Sequence, residues 1–486
     1  MKKIIPFLFV LFAVACEKFP PEHQPKEIDT KITDLKGAPI KEGGAGTPMK
    51  LTAPEFKELN KQGLLLKDGY IAFDKVLVKI QEAADDYILT SLPVMNFIDS
   101  RYIDIRLYIG NNQVAILCRT CFFYRSMVTG TIFSGFTGGA TDGSFYRPAE
   151  MIHDAAGNIY VIDQLASDHD VIIKVSSTGI NSVFAGAGDV FGRLVGIGID
   201  ESRGLLYVSD ATAQQVKAIS LAAPSTITVL AGSGTAGNAD GTGTAASFRF
   251  GAQAVDNFGS SETGQGLTVD ASGNIYVGEN QTASLASQVR RITPAGVVTT
   301  VPGTLIVPTM GPEESAMPSG IALNGANEIF TTSGSSGFYQ GINKFTTAGV
   351  FSRFAGKVSF EGLNDGFVGL AQFSYPKALR YFNTFFYVAD GTNGALRRVN
   401  ASGRVITLAG VGHENTNRFS GTGSFVPPLE GSYLMEGILA LPDTDYYETA
   451  ASVIRMDQAG GVAVVNSGLI YVADYGYKCI WKITIR

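Results

Sequence analysis

The feature that most constrains the fold of this chain is a pair of short strands that recurs six times. Each copy has an apolar strand, a turn of two to four residues and a second strand with an aromatic residue. The copies read MIHDAAGNIYVID, GIGIDESRGLLYVSD, LTVDASGNIYVGEN, IALNGANEIFTTS, ALRYFNTFFYVAD and VAVVNSGLIYVAD. Turns such as DAAGN and DASGN are typical of hairpins, because glycine adopts the positive φ that these turns require. The pattern predicts six β-hairpins, with the aromatic residues Tyr160, Tyr207, Tyr276, Phe330, Tyr387 and Tyr471.

Each hairpin is followed by further short strands. A third strand combines Lys or Arg with apolar residues and reads VIIKV, QVKAI, QVRRI, INKF, ALRRV and CIWKI. A fourth strand, ending in Ala-Gly or Pro-Gly, follows in five units as INSVFAG, ITVLAG, VVTTVPG, VFSRFAG and RVITLAG. Four short strands per unit, repeated along a chain, are typical of β-propeller blades. The 57 glycines and the charged fraction of 17% agree with turn-rich β structure.

The sixth unit ends at its third strand, and a segment before the first unit matches the missing fourth strand. That segment, residues 126–135, reads SMVTGTIFSG. Without a partner, the last strand would expose unpaired backbone groups. We therefore predict an all-β chain with a six-bladed β-propeller over residues 126–486. Strand 126–135 is expected to close the ring by pairing with the C-terminal blade.

The first residues have the features of an export signal. Lys2 and Lys3 precede an apolar run that is too short to span a membrane. The tetrapeptide AVAC resembles a bacterial lipobox, which implies a signal peptide over residues 1–15 and lipidation of Cys16. An ordinary cleaved signal, with Cys16 incidental, is the alternative. The expected location is the bacterial cell envelope, with the outer membrane favoured and its two faces not distinguished.

Two segments separate this signal from the propeller. Residues 16–27 are rich in proline and polar side chains, which predicts an extended tether. Residues 28–117 contain short alternating strands, which predict a β-sandwich, and residues 118–125 are expected to form a junction. The formal net charge of −6 gives no basic surface for nucleic acid.

Both halves of the chain resemble known domain families. The blade sequences GNIYV, YVAD and LRRV…GRVITLAG resemble NHL repeats, although Thr332 and Ser333 stand where other units carry an acid. The front segment, with GAGT at 44–47 and Leu92-Pro93, resembles an IPT/TIG domain, which implies an immunoglobulin-like fold. The resemblance also implies a cell-envelope role beside polysaccharide uptake systems of Gram-negative bacteria, and it names no ligand.

Acidic residues recur three positions after the aromatic residue of the hairpin. A ring of metal ligands is one interpretation. The other is structural: each carboxylate accepts backbone N–H groups in the turn that leaves the second strand. Recurrence in nearly every unit favours the structural role. These acids are Asp163, Asp210, Glu279, Asp390 and Asp474.

Two units carry polar side chains in the first strand, where other units carry glycine or aliphatic residues. Glu150 and His153 interrupt the first unit, beside Asp154, and Arg380 and Tyr381 interrupt the fifth. Because first strands flank the channel of a propeller, these side chains are candidates for a site at the channel. A buried and satisfied pair of polar residues is the alternative.

Exposed aromatic rings are candidates for stacking on sugars. Tyr339, Tyr446 and Tyr447 fall in segments that read as loops, where partly buried packing is the alternative interpretation. Cys118 and Cys121 have a CxxC spacing, which in an exported protein predicts a disulfide or two buried thiols near the junction. The chain has only four histidines and no second ligand pair, so no metal or cofactor is expected.

Two functions are compatible with these observations. The first is a non-catalytic lipoprotein whose propeller binds a glycan or a protein partner. The loop aromatics are the residues through which glycan binding would be tested. The second is a propeller enzyme of the metal-dependent lyase or lactonase type, with Glu150, His153 and Asp154 at the channel. The scarcity of histidine favours the first function. The sequence does not indicate the oligomeric state.

Overall fold

The chain is nearly all-β and divides into two compact units. In a computed structural model, residues 26–485 are described except 34, 37, 40, 44–47, 61–62, 74–75, 81, 92–100, 110–111, 125, 136–144, 166–168, 189, 252–265, 282–285, 306–317, 334–338, 359–360, 411–430, 436–453 and 455. The first unit is Met1–Ser126 with Met435–Pro442, and the second is Met127–Leu434 with Asp443–Arg486. Within the described residues, no helix has the length and apolar character needed to cross a membrane.

The first unit contains two β-sheets. One has the strand order β1-β10-β9-β5-β6, with β3 also beside β10, and the other has the order β2-β4-β8-β7. The strands are β1 Lys26–Glu27, β2 Lys31–Thr33, β3 Glu42–Gly43, β4 Pro48–Thr52, β5 Gly69–Phe73, β6 Val76–Lys79, β7 Glu82–Ala83, β8 Tyr87–Ser91, β9 Arg101–Ile109 and β10 Asn112–Tyr124. Leu51 and Ile88 of one sheet join Ile71 and Leu107 of the other in a single hydrophobic core. The unit is therefore a two-layer β structure.

Two features of this unit differ from the sequence-based expectation. Short helices α1 (Phe56–Leu59) and α2 (Leu64–Asp68) follow β4, and Phe56 and Leu65 are fully buried in the core. Strand β10 continues to Tyr124 through the segment expected as a junction, because it stays paired with β9 as far as Arg101. Both features arise from pairing and packing with residues distant in sequence.

The second unit consists of consecutive antiparallel sheets, which we call repeat sheets 1 to 6. Sheet 1 is β12 Pro148–His153, β13 Ile159–Asp163, β14 Val171–Val175 and β15 Asn181–Ala185; sheet 2 is β16 Leu194–Asp200, β17 Leu205–Asp210, β18 Gln215–Ser220 and β19 Ile227–Ala231; sheet 3 is β21 Leu267–Val269, β22 Ile275–Gln281, β23 Ala286–Ile292 and β24 Val297–Thr300, with β20 Gly241–Thr242 at its edge.

The remaining sheets follow the same plan. Sheet 4 is β25 Ile321–Leu323, β26 Ile329–Ser333, β27 Tyr339–Phe345 and β28 Phe351–Val358; sheet 5 is β29 Pro376–Phe382, β30 Phe385–Asp390, β31 Ala395–Val399 and β32 Val405–Ala409; sheet 6 is β34 Ala459–Asn466, β35 Leu469–Asp474, β36 Cys479–Ile485 and β11 Ser126–Ser134, with β33 Gly431–Met435 beside β11. Repeated four-stranded sheets of this kind are consistent with a β-propeller.

Strand β11 completes sheet 6 from the other end of the repeat region. It pairs antiparallel with β36, and the register places Thr131 opposite Lys482 and Val128 opposite Ile485. This is the pairing predicted for residues 126–135. The backbone groups along the edge of β36 therefore have a partner strand.

The first strands of the six sheets contact one another in chain order. β12 contacts β16, β16 contacts β21, and so on through β25, β29 and β34, which contacts β12 again. Glycine permits the close approach: a Cβ on Gly461 would lie 2.2 Å from the carbonyl oxygen of Ala149, and one on Gly320 would lie 2.2 Å from that of Lys377. The first strands thus pack backbone against backbone.

Candidate functional site

In the sheets that carry them, the recurring acids connect the second strand to the segment that leads into the sheet. Asp163 accepts the backbone N–H groups of Tyr146 and Arg147, and Asp390 accepts that of Ser374. Asp474 accepts those of Asp457 and Gln458. The structural interpretation of these acids agrees with the contacts. The backbone N–H groups that donate to these carboxylates lie before the first strand, however, and not only in the turn after the second strand.

In three sheets a buried cation on the third strand neutralises this acid. The distances are 2.8 Å for Lys217–Asp210, 2.9 Å for Arg290–Glu279 and 2.6 Å for Arg397–Asp390. All three acids are fully buried. Burial raises the pKa of Asp390, and the Arg397 guanidinium acts in the opposite direction.

In sheets 1 and 6 the third-strand position that holds this cation is occupied by an uncharged residue. The residue opposite Val161 in sheet 1 is Ile173, and the residue opposite Val472 in sheet 6 is Trp481. The Trp481 indole N–H donates to Asp474 at 2.9 Å. Burial raises the pKa of Asp163, and the backbone N–H groups of Tyr146 and Arg147 and the charge of Lys478 oppose that rise.

Glu150 and Arg380, both singled out from sequence, meet in the structure. Arg380 Nη2 lies 2.6 Å from Glu150 Oε2 and donates to the carbonyl oxygen of Met151 at 2.8 Å. The side chains are 8% and 12% exposed. Burial raises the pKa of Glu150, opposed by the charge and hydrogen bond of Arg380. This ion pair joins β12 of sheet 1 to β29 of sheet 5.

The pair is not fully satisfied by the protein. Glu150 Oε1 and Arg380 Nε are buried and have no hydrogen-bond partner among the described residues. A buried carboxylate oxygen without a partner is costly unless water or a ligand donates to it. Each residue of this pair therefore has capacity for one further hydrogen bond, Glu150 as an acceptor and Arg380 as a donor.

His153 and Asp154 do not join Glu150. The two ring nitrogens of His153 lie 3.0 Å from the carbonyl oxygen of Asp154 and 2.9 Å from that of Val464. Asp154 accepts from the backbone and side-chain N–H groups of Asn158 and from the Tyr160 hydroxyl. Both residues fix the β12–β13 hairpin and its contact with sheet 6. They are engaged in structure rather than gathered as a catalytic set.

The structure corrects the expectation for Tyr339 and limits that for Tyr381. Tyr339 begins β27, is 2% exposed and donates its hydroxyl to the carbonyl oxygen of Ala355, so it is no exposed platform. Burial raises the pKa of its phenol. Tyr381 is partly buried, and the centre of its ring lies 4.9 Å from that of Phe386.

Other predicted positions lie outside the described residues. These are Cys16 with the signal peptide, Tyr446 and Tyr447, and the side chains of Cys118 and Cys121, whose backbone belongs to β10. Cys479, on β36, is fully buried. Among the described side chains, no group of three or more His, Cys, Asp or Glu residues is arranged to hold a metal ion.

A depression open to solvent lies where the first strands begin. Its lining includes Ala149, Glu150, Lys377, Gly460 and Tyr475. Sheets 1, 5 and 6 contribute these residues, so Glu150 lies in its wall. Apart from Glu150, sequence reasoning did not identify this lining.

Basic and aromatic side chains alternate from the depression outward. Lys377 Nζ and Arg147 Cζ lie 5.6 Å and 5.4 Å from the ring centre of Tyr475, and Arg147 Cζ and Lys478 Nζ lie 5.6 Å and 5.0 Å from that of Tyr146. These distances are within the range of cation–π attraction. We call these five residues the cation–aromatic cluster. Lys377 and Tyr475 also line the depression, so the two features are continuous.

The comparisons with known proteins identify the fold. No protein-family profile matches the chain, and no curated protein matches it in sequence. The NHL and IPT/TIG resemblances therefore remain predictions.

Solved structures are similar along almost the whole chain. A protein of unknown function from Bacteroides thetaiotaomicron VPI-5482 has a TM-score of 0.57 at 13% identity, covering 96% of this chain and 100% of that one. An auxiliary nutrient binding protein from the same organism has a TM-score of 0.52 at 14% identity, covering 95% and 98%. One from Bacteroides ovatus ATCC 8483 also has 0.52 at 14%, covering 95% and 100%. The chain thus shares its fold with these Bacteroides proteins.

Proposed function

We propose that this protein is a non-catalytic, lipid-anchored protein of the bacterial cell envelope that captures a glycan with its repeat sheets. The observation that carries the proposal is the solvent-open depression, with the buried carboxylate of Glu150 in its wall and Tyr475 at its side. Ligand sites combine apolar and aromatic surface with a few placed polar groups, and the lining of this depression contains both Tyr475 and Glu150. The name of the two auxiliary nutrient binding proteins supports a binding role.

In this proposal the six repeat sheets are the blades of a six-bladed, NHL-type propeller. Cyclic contact of the first strands and closure of sheet 6 by β11 support that count. The N-terminal unit would be the IPT/TIG-like, immunoglobulin-like spacer, which its two sheets and shared core support. Cys16 would carry the lipid, and the tether would hold the body away from the membrane.

Engagement of the polar side chains with the protein itself supports binding over catalysis. Glu150 pairs with Arg380, and both nitrogens of His153 face carbonyl oxygens. A hydrolytic site needs a base or metal ligands that can reach the substrate. Of the polar side-chain atoms of Glu150 and His153, Glu150 Oε1 is the one without a partner among the described residues.

The experiment is native affinity electrophoresis of the chain from Glu17 onward, in gels cast with xylan, mannan, pectate, dextran or no polysaccharide. We expect at least one polysaccharide to retard the protein in proportion to its concentration. Unchanged mobility in every gel would contradict the glycan proposal and favour a protein partner. A change in the polysaccharide itself during incubation would instead point to an enzyme.

A further inference from the structure

The charges of the cation–aromatic cluster indicate which kind of glycan the depression takes. Arg147 and Lys478 have no ion pair or side-chain hydrogen bond among the residues that the structure describes. Arg147 lies over the rings of Tyr146 and Tyr475, and Lys478 lies over that of Tyr146 and also acts electrostatically on the buried carboxylate of Asp163. The cations at the other acids differ, because Lys217, Arg290 and Arg397 are neutralised at 2.6 to 2.9 Å. A cation that lies over an aromatic ring without a paired carboxylate can still bind an external anion.

The nearby acids do not cancel these charges at the surface. Asp163 and Asp474 are buried and accept backbone N–H groups. Among the described residues, no carboxylate forms an ion pair with Arg147, whose contacts are with the rings of Tyr146 and Tyr475. The positive charge of Arg147 is therefore not neutralised within the described part of the chain.

A second, independent feature lies in the wall of the depression. Glu150 Oε1 is an acceptor without a partner among the described residues, and a sugar hydroxyl is a donor of the right kind. The wall can therefore accept a hydrogen bond from a neutral hydroxyl, and the cation–aromatic cluster can bind a negatively charged group. A saccharide with both kinds of group would satisfy the two features together.

We propose that the depression and the cation–aromatic cluster bind an anionic saccharide, one that carries carboxylate or sulfate groups. Its hydroxyl would donate to Glu150 Oε1, and its anionic group would lie against the guanidinium of Arg147, with Lys478 in the same cluster. A guanidinium forms paired hydrogen bonds with such anions. This inference rests on the proposed glycan-binding function and specifies its ligand class.

The test uses two matched pairs of polymers in native affinity gels at low and high salt. Pectate is compared with highly methyl-esterified pectin, and dextran sulfate with dextran. We expect retardation by pectate or by dextran sulfate to exceed that by the neutral polymer at least fivefold, and to fall with salt. Retardation by pectate alone would show that the protein recognises carboxylate groups. Retardation by dextran sulfate alone would show that it recognises sulfate groups.

The variants separate specific recognition from general charge. Arg147→Gln with Lys478→Gln should reduce retardation at least fivefold, whereas Arg147→Lys should retain most of it. Arg404→Gln removes one positive charge, as Arg147→Gln alone does, at the turn between β31 and β32, the opposite end of the sheets, and should leave retardation unchanged. Thermal unfolding of each variant checks that the fold is kept.

Two results would overturn the inference, and they are distinguishable. If neutral polymers retard the protein as strongly as anionic ones, or if the double variant and Arg404→Gln behave alike, the anionic class is wrong while glycan binding stands. If no polymer retards the protein, the proposed function fails as well.

Discussion

At the scale of single residues, the ion pair of Glu150 and Arg380 is the most informative feature. Arg380→Met would leave a carboxylate that is 8% exposed without its charge partner. Losing one member of a buried pair typically costs about 3 kcal/mol or more in the free energy of unfolding. We expect a loss of about 3 kcal/mol at pH 7.5, measured by urea unfolding.

The same variant has a predicted pH dependence. Burial raises the pKa of Glu150 above its ordinary value of 4.5, and removal of Arg380 raises it further. The stability that protonated Glu150 contributes is full below 4.5 and is lost as pH rises through the raised pKa. Arg380→Met should therefore cost less at pH 5 than at pH 7.5. Adding Glu150→Gln should remove that difference, and an equal cost at both pH values would contradict this account.

Two buried tyrosines offer a matched comparison. Tyr339 donates its hydroxyl to the carbonyl oxygen of Ala355, whereas the hydroxyl of buried Tyr387 has no partner among the described residues. Tyr339→Phe should lower the free energy of unfolding by about 1 kcal/mol, and Tyr387→Phe should be neutral or stabilising. Equal losses in urea unfolding would show that the Tyr339 contact is unimportant. Neither change should alter glycan retardation.

Single residues were predictable where they broke the repeat pattern. Glu150 and Arg380 stand where other units have glycine or aliphatic residues, and the structure brings them together. Tyr339 was misread because the glycines and serines before it suggest a loop, whereas pairing of β27 with β28 buries its ring. Arg147, Tyr475 and Lys478 meet only through contacts between sheets, for which a repeat pattern holds no signal.

At the scale of elements, the third-strand cations of sheets 2, 3 and 5 are the buried partners of the recurring acids. Arg397 is fully buried against Asp390 at 2.6 Å and also donates to the carbonyl oxygens of Gln372 and Asn364. Arg397→Met should lower the free energy of unfolding by about 3 to 5 kcal/mol. Arg203 is 40% exposed beside Asp200, so Arg203→Gln should cost under about 1 kcal/mol. Similar losses in urea unfolding would refute this role.

Closure of sheet 6 can be tested by cross-linking. Thr131 and Lys482 are directly opposite in the antiparallel pair of β11 and β36. Cysteines at both positions should form a disulfide on mild oxidation, detected as linked peptides by mass spectrometry. The offset pair of Thr131→Cys with Thr484→Cys should link poorly, since diagonal neighbours are about 7 Å or more apart. Preferential linking of the offset pair would contradict the register.

Strands were more predictable than helices. The hairpin turns and alternating apolar residues marked all six repeats, because local turn chemistry and burial agree there. Helices α1 and α2 lacked a clear periodic signal, being only four and five residues long. They form because Phe56 and Leu65 fill the core between two sheets, which is a tertiary effect.

At the scale of the whole molecule, the repeat explains both the fold and the place of the site. Cyclic contact of the first strands gathers residues from sheets 1, 5 and 6 at one depression. The fold and the position of the depression both follow from the topology of the repeat sheets. The choice of ligand depends on which side chains stand at the strand ends, and these vary from sheet to sheet.

The most direct test of the central claim, capture of a glycan at the depression, is affinity electrophoresis of a Tyr475→Ala variant. The matched control is Tyr87→Ala, which removes a ring that also has a lysine, Lys50, 4.3 Å from its centre, but in the first unit. In gels of whichever tested polysaccharide retards the native protein, Tyr475→Ala should lose at least nine-tenths of the retardation and Tyr87→Ala should lose none. Full retardation of Tyr475→Ala would contradict the claim.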